Sequence, residues 1–161
     1  MPRFLSPAWV DAFNEALVDM AWEPESPAPR EGVFRVAQVV VDPPPDLLEA
    51  IGAARGADGT GAPDPPGVVR TVLSVDHGRV TIRHQWADAG GPGGDGPEAD
   101  VSVVLSYDDA VSLSLGTLDA VDALGAGRVQ VRGDLSVLVA GQALLAAAAV
   151  RLEALHAATT Y

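Results

Sequence analysis

The sequence predicts an α+β fold, with helices collected on one face of a mainly antiparallel sheet. Three observations predict it. The first is the order of elements: helix, strand, long loop, two strands, loop, strand, two short helices, strand, long helix. That order is neither a regular βαβ alternation nor a run of strands alone. The second is the apolar/polar alternation at 68–76, 79–86 and 100–107, the mark of an antiparallel sheet with one covered face. The third is 135–150, where only Ser136, Gly141 and Gln142 interrupt an apolar run. A helix that is apolar all round needs cover on more than one side.

Ser6 and Pro7 predict the first helix, with Ser at the N-cap and Pro at the first helical position. Trp9, Phe13, Ala16, Leu17 and Met20 then fall on one stripe, so this helix faces the core. A Pro-rich link at 23–31 leads to a β-branched strand at 33–41, whose alternation leaves its buried face open. The segment 42–67 holds six prolines and five glycines and predicts a flexible insertion, with at most one helical turn at 47–51.

The strands 68–76 and 79–86 form a hairpin around His77-Gly78. Val69, Thr71, Leu73 and Val75 share the inward face of the first strand; Val80, Ile82, His84 and Trp86 share one face of the second. A flexible Gly/Pro loop follows at 87–99. The strand 100–107 then places Val101, Val103, Leu105 and Tyr107 on one face. Asp108-Asp109 caps a short helix to Leu115, and Asp119 caps another, with Asp122 three residues on. Gly125 and Gly127 suit its left-handed ending. In 128–132 the alternation puts Val129 and Val131 on one side; Gly133-Asp134 gives a turn and a further N-cap. The long helix runs from Leu135 to about Leu155, and the tail 156–161 is expected to fray.

Gly116, Leu118, Asp119, Ala123, Leu124, Gly127, Arg128, Val129, Val131, Gly133, Asp134 and Leu135 carry a family resemblance. Three glycines bracket helix and strand in the order used by the sterol carrier protein family, the non-specific lipid-transfer fold. The chain resembles that family most over 100–150. The resemblance implies a five-stranded sheet, helices over one face, and an apolar tunnel between the layers. It implies one domain over 1–161, with 42–67 and 87–99 as additions to it.

Composition narrows the chemistry. At 161 residues, 48% of them hydrophobic, a single domain buries roughly two thirds of its unfolded surface. Ten basic and 22 acidic residues give a net charge of −12, which disfavours nucleic-acid binding and docking on anionic membranes. All basic residues are Arg, so lysine Schiff bases and P-loops are excluded. Absent Lys and a single Asn, Asn14, point to a GC-rich bacterial genome, because those codons are A-rich. No Cys is present, which removes disulfides, thiol nucleophiles and thiolate metal sites. The first 13 residues lack the apolar core of a signal peptide, and the apolar run is too interrupted for a convincing bilayer span. A soluble cytoplasmic protein is the expectation.

No catalytic constellation emerges. Gly91 to Gly96 spells G-x-G-x-x-G, but an acidic loop precedes it and Pro97 follows, where a dinucleotide site needs strand and helix. His77 and His84 are an odd number of residues apart and fall on opposite faces, a poor metal pair. Asp108/Asp109 and Asp119/Asp122 sit at helix starts, where capping explains them. The expectation is a non-enzyme without metal or cofactor. Its ligand is a hydrophobic small molecule held among Val80, Ile82, Val103, Leu105, Leu135, Leu138, Val139 and Leu145. His84, Trp86 or Tyr107 would orient a polar head group. The residues leave a second reading open: the same fold with a filled interior, serving as an interaction module that binds a protein partner or its own copy.

Overall fold

The computed structural model describes residues 1–22, 32–58, 67–85 and 99–161. Its elements in order are α1 (Pro7–Leu17), β1 (Val33–Val41), α2 (Pro45–Asp58), β2 (Val68–Asp76), β3 (Arg79–His84), β4 (Val101–Ser106), α3 (Tyr107–Ser114), α4 (Ala120–Gly125), β5 (Gln130–Gly133) and α5 (Leu135–Ala158). Among the described residues the five strands form one sheet in the order β3-β2-β1-β4-β5. The central pairing β1–β4 is parallel; β1–β2, β2–β3 and β4–β5 are antiparallel. The predicted α+β class with a mainly antiparallel sheet is therefore borne out. The loop predicted at 87–99 lies outside the described residues except for Ala99, as do the link 23–31 and Trp86.

Helix α1 starts as its sequence demands: the Ser6 side chain accepts from the Trp9 amide at 3.2 Å, and Pro7 opens the first turn. Trp9, Val10, Phe13 and Leu17 are buried from it. It lies against β3 and α5. There Asn14 makes a two-point clamp on the edge strand: its Nδ2 donates to the Ile82 carbonyl at 2.8 Å, and its Oδ1 accepts from the Ile82 amide at 2.7 Å. An edge strand exposes unpaired amides and carbonyls, and this clamp occupies one residue's worth of them.

The insertion 42–67 differs from expectation. It contains α2, fourteen residues long rather than a single turn. Pro45 opens the helix, the Pro44 carbonyl accepts from the amides of Leu47 and Leu48, and Leu47 and Ile51 are buried one turn apart. Asp46 in its first turn pairs with Arg3. The tail also differs. The α5 helix continues to Ala158, and the residues after it are docked rather than frayed. Thr159 Oγ1 accepts from Trp9 Nε1 at 3.1 Å and donates to the Leu155 carbonyl at 2.6 Å. Residues 3 and 160 form a parallel bridge, and the Tyr161 ring stacks near Phe4 at 5.5 Å.

One helix start shifts slightly. Tyr107 opens α3 rather than closing the strand, and Ser106 is the N-cap, accepting from the Asp109 amide at 3.1 Å. Asp109 is instead buried in an ion pair with Arg128. Asp119 caps α4 and Asp134 caps α5, as their sequence positions predict.

The turn into α5 is tight. Gly133 has φ 112°, and a β-carbon there would stand 2.4 Å from the Asp100 carbonyl oxygen. That carbonyl also accepts from the Asp134 amide at 2.9 Å, so it has no freedom to retreat. Gly133→Ala should lower unfolding stability by about 3 kcal/mol, from backbone strain and the clash together. Urea denaturation checks it; an unchanged midpoint would mean that the β4–β5 register tolerates a shift at this turn.

Candidate functional site

The two faces of the sheet differ in chemistry. On the face toward α1 and α5, the register sets apolar residues side by side in rows. Val36, Leu73, Ile82 and Val101 form one row; Val40, Val69 and Leu105 form another. Between them runs a polar row: Gln38 on β1, Thr71 on β2 and His84 on β3. Val103 of β4 stands beside Gln38. The α5 helix covers this face from close range, because a β-carbon on Gly141 would lie 3.3 Å from Val36 Cγ2.

The predicted ligand residues separate into three groups. Val80, Ile82, Leu105 and Tyr107 are buried in the core, and Val103 and Leu138 are half-buried against it. His84 is half-buried on the inner face. Leu135, Val139 and Leu145 are 59%, 64% and 44% exposed, so of the four α5 residues expected to line a pocket only Leu138 packs against the core. The buried face is Val137, Gly141, Leu144, Ala148, Leu152 and Leu155, at steps of three and four. By length and composition alone α5 is apolar enough to cross a membrane, yet this face of it is packed into the core. Sequence reasoning also left Gln38 and Thr71 out of the site. Thr71 was detectable, as the one hydroxyl in an inward-facing apolar set.

One member of the polar row, His84, is held in place by a specific bond. The backbone turns at Leu5, whose φ of 63° costs a residue with a β-carbon roughly 1–2 kcal/mol. The turn survives because Leu5 itself is fully buried. It presents the Leu5 carbonyl to His84 Nε2 at 2.8 Å. A carbonyl only accepts, so Nε2 carries the hydrogen. Thr71 Oγ1 and Tyr107 Oη are buried without a hydrogen-bond partner among the described residues. Buried polar atoms are nearly always paired in native proteins, so these orphaned hydroxyls, Thr71 between two apolar rows above all, call for an explanation.

The inner face thus carries apolar rows crossed by one polar row, under an apolar helix. No protein-family model and no curated protein sequence matches the chain. Among solved structures, the chain is similar to sterol carrier protein 2, with 19% identity and a TM-score of 0.50 over 91% of this chain and 97% of that one. It is also similar to palmitated SCP2L2 from Aedes aegypti, with 19% identity and a TM-score of 0.43 over 91% and 95%. The sec-alkylsulfatase Pisa1 from Pseudomonas sp. matches with 20% identity and a TM-score of 0.37 over 63% of this chain. The chain spans only 11% of that sulfatase. The fold is thus that of sterol carrier protein 2, as the glycine-bracketed motif implied.

Burial lowers the His84 pKa below 6.5, more than the Leu5 carbonyl and the Asp11 charge raise it. The unfolded chain therefore takes up a proton at pH values where the folded chain resists it. Stability should be full above pH 6.5 and fall as the pH drops through 6.5 toward the lowered folded value. Burial lowers His156 as well, and it adds to the same slope. His84→Gln keeps a donor for the Leu5 carbonyl and removes the titration. Its loss of stability from about pH 7.5 to about pH 5.5 should be shallower than the parent's. Equal slopes in thermal unfolding would mean that His84 is as easily protonated folded as unfolded.

Proposed function

We propose that the protein binds and carries a hydrophobic small molecule (a lipid, fatty acyl or sterol-like compound) in the layer between sheet and helices, without catalysis. The observation that carries this reading is the orphaned hydroxyl of Thr71, buried on the inner face of the sheet between two apolar rows and without a hydrogen-bond partner among the described residues. A ligand with an apolar body and one polar end supplies what both halves of that layer want. Its body gains roughly 25 cal/mol for each Å² of apolar surface removed from water. Its polar end meets the row of Gln38, Thr71 and His84. The neighbour of the same fold is named a sterol carrier, which supports the class of ligand and not its identity.

A second reading is favoured by a different observation. Leu135, Val139, Leu145 and Val150 leave an apolar stripe of α5 exposed. An interaction module, or an accessory subunit of an enzyme, would use that stripe as its contact and keep the interior filled.

Thr71→Val separates the two. It removes an unpaired buried hydroxyl at constant shape, so it should raise stability by about 1 kcal/mol. In the carrier it should also weaken displacement of a fluorescent fatty acid by unlabelled fatty acid or fatty alcohol, by about tenfold. The module predicts no displaceable binding in the parent at all.

A further inference from the structure

The opposite face of the sheet carries a different chemistry. Arg35 on β1, Ser74 on β2 and Thr81 on β3 are direct neighbours across three strands, and Arg79 and Arg83 flank Thr81 on the same face. Together with Val33, Val75 and Asp76 these residues line a cavity of ≈ 230 Å³. Strands stand about 4.8 Å apart, so the backbone of Arg35 lies about 10 Å from that of β3. Three guanidinium groups on stems of that reach can converge above Ser74.

Three arginines in one cavity are unexpected on a chain of net charge −12 with only ten basic residues. Among the described residues, no carboxylate stands within ion-pairing distance of Arg35, Arg79 or Arg83. The one acidic group on the rim, Asp76, has its Oδ1 3.7 Å from His77 Nε2. Ser74 Oγ, in the cavity wall, is screened from solvent and has no hydrogen-bond partner among the described residues. Three like charges gathered with a single carboxylate in the lining, around an unmet hydroxyl, repel one another unless an anion joins them.

We propose that this cavity is an anion site for the phosphoryl group of a small phosphomonoester. The charge selects the class. Three guanidinium groups outnumber the Asp76 carboxylate of the lining and the Asp100 carboxylate, which is engaged by the Arg35 amide, so the cavity keeps net positive charge, and a phosphomonoester carries about −1.5 to −2 at neutral pH. The geometry selects it too. A carboxylate offers two oxygens, filled by one bidentate arginine, whereas three terminal phosphoryl oxygens serve several guanidinium groups and the Ser74 hydroxyl together. The site is on the side of the sheet away from α5 and is independent of the apolar ligand proposed above.

Calorimetric titration of the full chain with glycerol 3-phosphate, and separately with inorganic phosphate, tests the proposal. Saturable one-to-one binding is expected, weakening as salt is raised because the charges are exposed. The double variant Arg79→Gln/Arg83→Gln should bind at least about tenfold more weakly, and Arg151→Gln, on α5, within about twofold of the parent. The parent's thermal midpoint, kept in both variants, shows that the fold survives, and fatty-acid displacement should be unchanged in both. No saturable binding in the parent, or equal binding in the double variant, overturns the site. Tighter binding of a sulfate monoester or a short carboxylate overturns the phosphoryl assignment. Flotation with vesicles containing phosphatidic acid distinguishes the source of the phosphoryl group. The net charge predicts that the protein stays with the free fraction, and co-flotation abolished by the double variant would overturn the small-molecule ligand in favour of a lipid head group.

Discussion

The contact on which this structure depends is the one between α5 and the sheet. Val137, Leu144, Ala148, Leu152 and Leu155 bury one face of the helix, and Gly141 lets its backbone approach Val36 without an intervening side chain. That approach fixes the depth of the layer between helix and sheet. The rest of the chain holds the helix there. Asp134 caps its start beside the strained Gly133 turn, and Thr159 ties its end to Trp9. Through Trp9 the end of α5 is coupled to α1, and through Asn14 α1 is coupled to the edge strand. The Leu5 turn that positions His84 belongs to the same closure of the two chain ends.

Much of the fold was legible where local chemistry decides structure. The caps at Ser6, Asp119 and Asp134, the His77-Gly78 hairpin and the alternation of β2 and β3 all appear where residue type requires them. The glycine-bracketed motif carried the fold resemblance because its glycines mark left-handed turns, as Gly116, Gly127 and Gly133 confirm with positive φ. The orientation of α5 was not legible. A helix apolar on every side gives no periodic signal, so Leu135, Val139 and Leu145 looked as buried as Leu144. What selects the buried face is small size, at Gly141 and Ala148, and that is a tertiary property. The α2 helix was obscured by its prolines and glycines, although Pro45 at the first position with Leu47 and Ile51 a turn apart is a helix signature. The docked tail depends on partners more than 100 residues away, which no local pattern reveals.

The candidate site divides in the same way. Inward positions on β2 and β3 follow from alternation, so Val80, Ile82 and His84 were placed correctly on the inner face. The polar row was hidden because it exists only across strands: Gln38, Thr71 and His84 are 33 and 13 residues apart and become neighbours through register. The arginine cavity is hidden for the same reason. One sheet thus presents an apolar face crossed by a polar row toward the helices and an arginine-lined cavity on the other side.

The central claim is that a ligand enters between the sheet and α5. Methyl-resolved NMR of the full chain during titration with a long-chain fatty acid tests it most directly. The account predicts shifts at Val36, Thr71, Val103 and Leu144, which surround the layer, with Val139 and Val150 on the exposed face of α5 unmoved. Shifts confined to Leu135, Val139 and Val150, or no shifts at saturating ligand, would contradict it.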